Sequence, residues 1–570
     1  MTRFLILFLL ILPASLLAQE EFLPRNVNHT SKNNILPSIS GDGKSMIYLT
    51  NYSNSGELVL ELTHYKVGKW QDPKEVSALD PMRLNNTGGY FLDNTGEAIW
   101  FSSRKPDGLG GYDIWVTKKG SSGWGRARNP GKPLNTNLDE GDPSISPDKQ
   151  MVYFMRCSRI STDVAKGCNI YVSERNKGRG QPWKEAKKLP DHLNIGNTVS
   201  PRILSDNKTL IFSSDRPGGK GGLDLWISTK EAGLPDVKGG WSDPVNIDFA
   251  NTDGDDRYMS MSLRTDFAYI TRENSAGFNG LVKIKVPEEF RPRDVIMMMG
   301  KVVDEQGSPQ SIDIRINNQS KSRLEARVVS EKGTGDFVAV LTEGSSFEIT
   351  FEDRSGKLAF QTQIIDVEEL VSSRRQYPRV VMITVISGAV FNIGGVAFDT
   401  LSNTITASSN FELLRLSRLI KQHRDLKFNI DIYQQSYQED SLQYSWLTEV
   451  RYDSIMVKLP AIKIDSMDNY EKDSLLMVIN DTLGTTLVDT TIVNEYQARM
   501  SGIDSIETWR KTPVYHNNRT PLYAETLRHH LITKGVTEEQ FQLNALGLIP
   551  EDKRNQVVFV NGIAIVIRLE

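Results

Sequence analysis

A multidomain, mainly β chain is predicted from the sequence: a β-propeller of five visible blades with room for a degenerate sixth, then a β-sandwich, then an α/β module. Three observations carry this. A turn bearing Asp recurs before a short aromatic or β-branched strand between Asn34 and Val286. The repeat breaks at Glu288-Glu289-Phe290-Arg291-Pro292-Arg293, and beyond Phe391 the apolar residues fall at helical spacing. With 570 residues, 39% hydrophobic and 24% charged, the chain has a globular, multidomain composition. Its 67 Lys and Arg against 71 Asp and Glu give a net charge of −4, and no basic stripe interrupts that balance, which argues against a nucleic-acid partner.

The first element is not part of the fold. Arg3 precedes an unbroken apolar run from Phe4 to Leu12, then Pro13 and Ala18 stand before the polar Gln19-Glu20-Glu21. This reads as a secretory signal peptide over 1–18, cleaved after Ala18, because a spanning helix needs about 20 apolar residues. No Cys near the cleavage point can take a lipid. The next-longest apolar stretches, Val380 to Ile386 and Ile563 to Ile567, are strand-sized, so neither a lipid anchor nor a transmembrane segment is expected. Export places Cys157 and Cys168 in an oxidising compartment. They flank a polar loop between Met151-Val152-Tyr153-Phe154 and Asn169-Ile170-Tyr171-Val172, and are expected to form a structural disulfide across a long hairpin. A redox role is the alternative; a metal pair lacks Cys-x-x-Cys spacing or a nearby His.

The propeller is read over 27–290. The turn Asp residues are Asp42, Asp93, Asp148, Asp206 and Asp266, at intervals of 51, 55, 58 and 60. The second and fourth copies share Gly110-Gly111-Tyr112-Asp113-Ile114-Trp115 and Gly221-Gly222-Leu223-Asp224-Leu225-Trp226, each one hairpin of a blade. Trp70, Trp124, Trp183 and Trp241 recur once per unit outside the strands, as expected of side chains packed between blades. The repeats resemble the TolB-type, WD-like propellers of bacterial periplasmic proteins. Since the Asp recurs at the same turn position, a structural hydrogen-bonding role is preferred over a catalytic or metal-binding one. The seven His residues are scattered, and no Ser-His-Asp set, metal triad or carboxylate pair stands out, so no catalytic residue, metal or cofactor is assigned and the chain is expected not to be an enzyme.

Over 294–388, the opening Gly300-Lys301-Val302-Val303-Asp304 and the later Gly335-Asp336-Phe337 resemble the carboxypeptidase-regulatory-like sandwich, a resemblance that implies a spacer without an active site. Over 389–570, Gly395-Val396-Ala397-Phe398-Asp399, the helical run Leu413 to Ile420, the strand Leu426 to Ile432, the helix Leu522 to Leu531 and the closing strand Ile563 to Ile567 resemble the OmpA-like peptidoglycan-associating domain. That resemblance places the family's ligand-gripping Asp at Gln435 and its Arg at Tyr523. Both charges are missing, which removes charge-assisted hydrogen bonds of about 1.5–3 kcal/mol each, so peptidoglycan capture is expected to be weakened or lost. Gln435 and Tyr523 could still make neutral hydrogen bonds, leaving weaker or different glycan binding open.

An insertion over 436–512 interrupts this domain and is too long for an ordinary loop. Its Asp-Ser/Thr-apolar triplets, with hydroxyls at Ser441, Ser454, Ser466, Ser474, Thr482, Thr490 and Ser505, resemble acceptor sites for protein O-glycosylation in Bacteroidetes. The same pairs also serve as turn and helix-cap residues, and both readings stay open. In this order the modules resemble Bacteroidetes envelope proteins that include a type IX secretion-associated member. The function expected is therefore a periplasmic scaffold associated with the outer membrane, with envelope proteins bound by the propeller. The alternative is a glycan-binding or glycan-hydrolysing propeller.

Overall fold

The computed structural model describes residues 20–29, 31–51, 58–76, 89–161, 164–176, 182–230, 240–319, 323–367, 375–376, 378–399, 404–436, 438–439, 446–458 and 505–570. The signal peptide at 1–18 and the acceptor positions Ser441, Ser466, Ser474, Thr482 and Thr490 lie outside the described residues. The chain forms two compact units, one up to Thr384 and one over Val385–Glu570.

The first unit begins with five antiparallel blades, four of them four-stranded and the first with an additional short strand, Lys74–Glu75, paired to its third strand. From the axis outward, blade 1 is Asn34–Ile39, Ser45–Asn51, Leu58–Lys66 and Lys69–Trp70, and blade 2 is Tyr90–Leu92, Ala98–Ser103, Asp113–Gly120 and Gly123–Trp124. Blade 3 is Asp139–Ile145, Met151–Cys157, Asn169–Glu174 and Lys187–Lys188, and blade 4 is Thr198–Ile203, Thr209–Ser214, Asp224–Thr229 and Val245–Asn246. Blade 5 takes Ser260–Met261, Phe267–Glu273 and Asn279–Lys285 from the end of the repeat and its outer strand, Glu20–Phe22, from the beginning. That shared blade closes the ring at five, so the sixth blade for which the sequence left room is not needed. Each turn Asp but the last accepts from its own turn: Asp42 from Lys44 N–H, Asp93 from Glu97 and Ala98 N–H, Asp148 from Gln150 N–H and Asp206 from Lys208 and Thr209 N–H. Three of the four marker tryptophans pack edge-on against the preceding blade, Trp70 on Tyr269, Trp183 on Trp100 and Trp241 on Tyr153. The Cys157–Cys168 disulfide forms at the base of a short hairpin, Arg159–Ile160 with Ala165–Lys166, that extends blade 3.

The sandwich follows. One sheet pairs Val295–Asp304 with Asp336–Thr342 and, in parallel, with Arg375–Gln376 and Arg379–Met382; the other orders Arg323–Val329, Asp313–Asn318, Ser346–Glu352 and Gln361–Asp366. Between them lie Ile314, Ile316, Phe337, Phe347, Ile349 and Phe351, all buried. The sandwich is seated on the propeller. Leu263 packs with Val295, Met297, Val338 and Val340, Lys208 pairs with Glu325, and Arg175 lies 3.5 Å from Glu331. Lys208 and Leu263 belong to turns between first and second strands, and Arg175 ends a third strand. All three therefore sit on one face of the ring.

In the second unit, the mixed sheet orders Val390–Ile393, Ile563–Leu569, Phe428–Gln434 and Phe541–Leu548, the last pair parallel. Helix α1, Asn410–Gln422, buries Leu413, Leu416, Leu419 and Ile420, and α2, Thr520–Thr533, buries Tyr523, Leu527 and Leu531. Part of the inserted segment is a three-stranded antiparallel ribbon in the order Gln438–Glu439, Ser505–Asn517 and Trp446–Lys458, in which Ser454 stands opposite Trp509 and Ser505 opposite Lys458.

Candidate functional site

Each blade has one residue in the left-handed region within its innermost strand or just before it: Leu36, Gly89, Asp142, Ser200 and Tyr258, with φ between 47° and 74°. In blades 1, 3 and 4 it falls within a register shift between the first two strands. Such a bulge bends the strand and re-aims the side chain, here toward the ring axis. Gly89 supplies the conformation without a side chain, and a Cβ there would lie 1.7 Å from Asp142 Oδ1. Glycine is therefore required for space as well as for φ.

Side chains from non-adjacent blades meet across the axis. Asp142 of blade 3 is wholly buried, and its Oδ2 accepts from Ser200 N–H and Oγ–H at 3.1 and 2.9 Å and from Arg257 Nη2 of blade 5 at 3.1 Å. Arg257 also donates to Ser200 Oγ and Tyr258 Oη. Arg202 of blade 4 donates to the Tyr90 carbonyl of blade 2 at 3.1 Å and lies between the rings of Phe91 and Tyr258. Burial pushes the Arg202 guanidinium below its ordinary pKa, with Asp142 opposing, while burial raises the Tyr258 phenol. Burial opposes the charge on Arg257 too, yet Tyr258 and Asp142 hold it above its usual value. The axis is thus closed by a cross-linked polar plug.

Beside the plug, a cleft of about 680 Å³ opens between blades 5 and 1. Its floor is Leu36, Arg257 and Tyr258, and its rim carries Asp253, Asp255 and Glu273. Asp256, in the wall, accepts from Thr252 and pairs with Arg272 at 3.0 Å; blade 3 repeats the arrangement with Thr136, Glu140 and Arg156. Burial raises the pKa of both Asp256 and Glu140, against the Thr hydrogen bonds and the Arg. Because the folded pKa of Glu140 exceeds the unfolded one, the unfolded chain holds fewer protons between them, and stability falls as pH rises from about 4.5 through the folded value. The stability of the wild type relative to Glu140→Gln is therefore expected to decline with pH across that window and then level off. Denaturant titrations at a series of pH values check this; a rising difference would contradict it.

A second repeat escaped the sequence reading. Asn28, Asn135, Asn194 and Asn251 each accept the N–H and donate to the C=O of one residue in the third strand of the preceding blade: Leu281, Ile114, Ile170 and Leu225. The signal was present as an apolar residue followed by Asn, in Val27-Asn28, Leu134-Asn135, Leu193-Asn194 and Ala250-Asn251, at the entry into blades 1, 3, 4 and 5.

The two positions matched to the peptidoglycan grip differ in exposure. Gln435 is exposed, its N–H donating to the Gly562 carbonyl, whereas Tyr523 is fully buried with its ring stacked on Phe398 at 4.3 Å. The expectation that Tyr523 could bond a glycan is thereby corrected, because the helix turns that position into the core. Among the described residues no group of three or more His, Cys, Asp or Glu could hold a metal ion, and no helix is long and apolar enough to cross a membrane.

No family model matches the chain, and no curated protein does. Solved structures do. A putative TolB from Agrobacterium tumefaciens is similar at 17% identity, covering 55% of this chain and 91% of that one with a TM-score of 0.28. An alpha-L-arabinofuranosidase from Lactobacillus brevis matches at 11% identity over 48% and 95%, TM-score 0.32, and an endo-arabinase from Bacteroides thetaiotaomicron at 13% over 47% and 98%, TM-score 0.33. Glycoside hydrolases thus stand among the similar folds. The expectation that the chain is not an enzyme is overturned by these matches.

Proposed function

We propose that this is an exported binding protein of the cell envelope, in which the propeller engages its ligand through the face opposite the sandwich. The observation that supports the reading is the asymmetry of the ring. One face is occupied by Leu263, Lys208 and Arg175 meeting the sandwich, while the cleft and its acidic rim open elsewhere. The signal-peptide pattern supports export to the periplasm, and the resemblance of 389–570 to OmpA-like domains supports docking at the outer membrane, with direct capture of peptidoglycan disfavoured by the burial of Tyr523. The hydroxyls Ser454 and Ser505, on the ribbon, and those outside the described residues remain candidate glycan acceptors.

A photo-crosslinking residue placed at Glu273 on the cleft rim, and separately at Val67, tests the reading in cells. Val67 is 98% exposed, in a turn between third and fourth strands on the sandwich side of the ring. Specific adducts from position 273 and none from 67 are expected. Equal adducts, or none from 273, would refute a ligand-bearing free face.

A further inference from the structure

On the face opposite the sandwich, Leu109, Leu138, Val164 and Ile195 stand 47, 46, 44 and 46% exposed. They belong to loops of three consecutive blades that touch one another. A Cβ on Gly110 would lie 2.2 Å from the Leu138 carbonyl oxygen. Asp139, the next residue, accepts from Tyr112 N–H and from Ile160 N–H, both at 2.7 Å, and so joins the blade 2 loop to the disulfide hairpin. Ala165, beside Val164, accepts from Asn197 Nδ2 at 2.8 Å, which brings in the loop of Ile195. The loops that carry the apolar residues therefore form one contiguous edge.

Charge is divided across the same face. Arg104, Lys132, Arg159 and Lys166 are exposed on the loops that carry Leu109, Leu138 and Val164, where Asp107 is the exposed acid among them; Asp191 and Asp215 are exposed beside Ile195, and Asp253, Asp255 and Glu273 gather on the blade 5 side. None of the four apolar residues lines the cleft, and each stands singly on its own loop. A short peptide segment uses a groove or a sheet edge. Isolated apolar tips among cations instead match a flat anionic surface: the tips enter the boundary between headgroups and acyl chains while the cations stay at the phosphates. The disulfide and the Asp139 bridge hold the tips in place beforehand, so little ordering entropy is lost on docking.

We propose that this edge, over blades 2 to 4, docks on an anionic lipid surface. The proposal rests on the reading that the face opposite the sandwich is the binding face, and it names the partner. The test is co-sedimentation of the full chain with vesicles of phosphatidylcholine alone and of phosphatidylcholine mixed with phosphatidylglycerol. Binding to the anionic vesicles is expected, weak on neutral ones and falling as salt is raised. The exposed positions permit Leu109→Asp/Val164→Asp and Arg159→Gln/Lys166→Gln without a change in melting temperature. The first is expected to abolish binding and the second to weaken it about thirtyfold, at about fivefold per cation. Equal partition onto both vesicle types, binding untouched by both variants, or binding to soluble polyglutamate in place of vesicles would each overturn the proposal. Adducts from position 273 report on the binding face separately. Their presence without vesicle binding overturns only the lipid surface, and the loss of both overturns both.

Discussion

Asp142→Ala is expected to lower stability by about 3–5 kcal/mol, the usual consequence of removing one partner from a buried, hydrogen-bonded ion pair. Asp142 is wholly buried, and three donors converge on its Oδ2. Its loss leaves Arg257 without its carboxylate and Ser200 N–H without an acceptor, beside Arg202, whose charge already opposes burial. The partners come from blades 3, 4 and 5, so the effect should appear as cooperative loss of the whole ring. Chemical denaturation followed by intrinsic tryptophan fluorescence measures it. Asp142→Ala/Arg257→Met should recover part of the loss, because the stranded cation is then gone. A single-mutant cost below about 1 kcal/mol, the range of exposed ion pairs, would show that the plug is solvated.

Asn28→Ala is expected to cost about 2–4 kcal/mol, since it removes three buried hydrogen bonds, two with Leu281 and one to the Leu23 carbonyl, and leaves the Leu281 N–H without an acceptor. Asn28→Asp should not rescue it. A carboxylate can accept from the N–H but sets a buried charge against the Leu281 carbonyl. Asn135→Ala and Asn251→Ala remove equivalent pairs and should cost similar amounts. Urea titrations compare the three; a negligible effect at Asn135 or Asn251 would mean the clasp matters only where the ring closes.

The propeller was legible because its turn Asp, strand and Trp signals are local and repeated, and the disulfide because its cysteines flank one hairpin. The strand Arg323–Val329 was not. Its sequence, Arg-Leu-Glu-Ala-Arg-Val-Val, lacks a clear period-2 pattern, and pairing with Asp313–Asn318 decides its state. Tyr523 was matched by alignment to a ligand position, but only the packing of α2 on Phe398 determines that it faces inward. The axial plug was unreadable for a different reason. Asp142, Arg202 and Arg257 lie in three different repeats, and no local motif marks residues that meet only when a ring closes.

The shared fifth blade sets the order in which the molecule can be assembled. Asn28 and Leu281 are 253 residues apart, and the strand Glu20–Phe22 has no partner until Asn279–Lys285 has been synthesised. Until then the chain carries an open edge on each side of the gap, the kind of surface that pairs with the wrong neighbour. The entropy of closing so long a loop grows only logarithmically, so the finished ring loses little to its topology. The rate is what suffers, because this pairing is the most non-local in the propeller, and slow folding with a long exposure to aggregation follows.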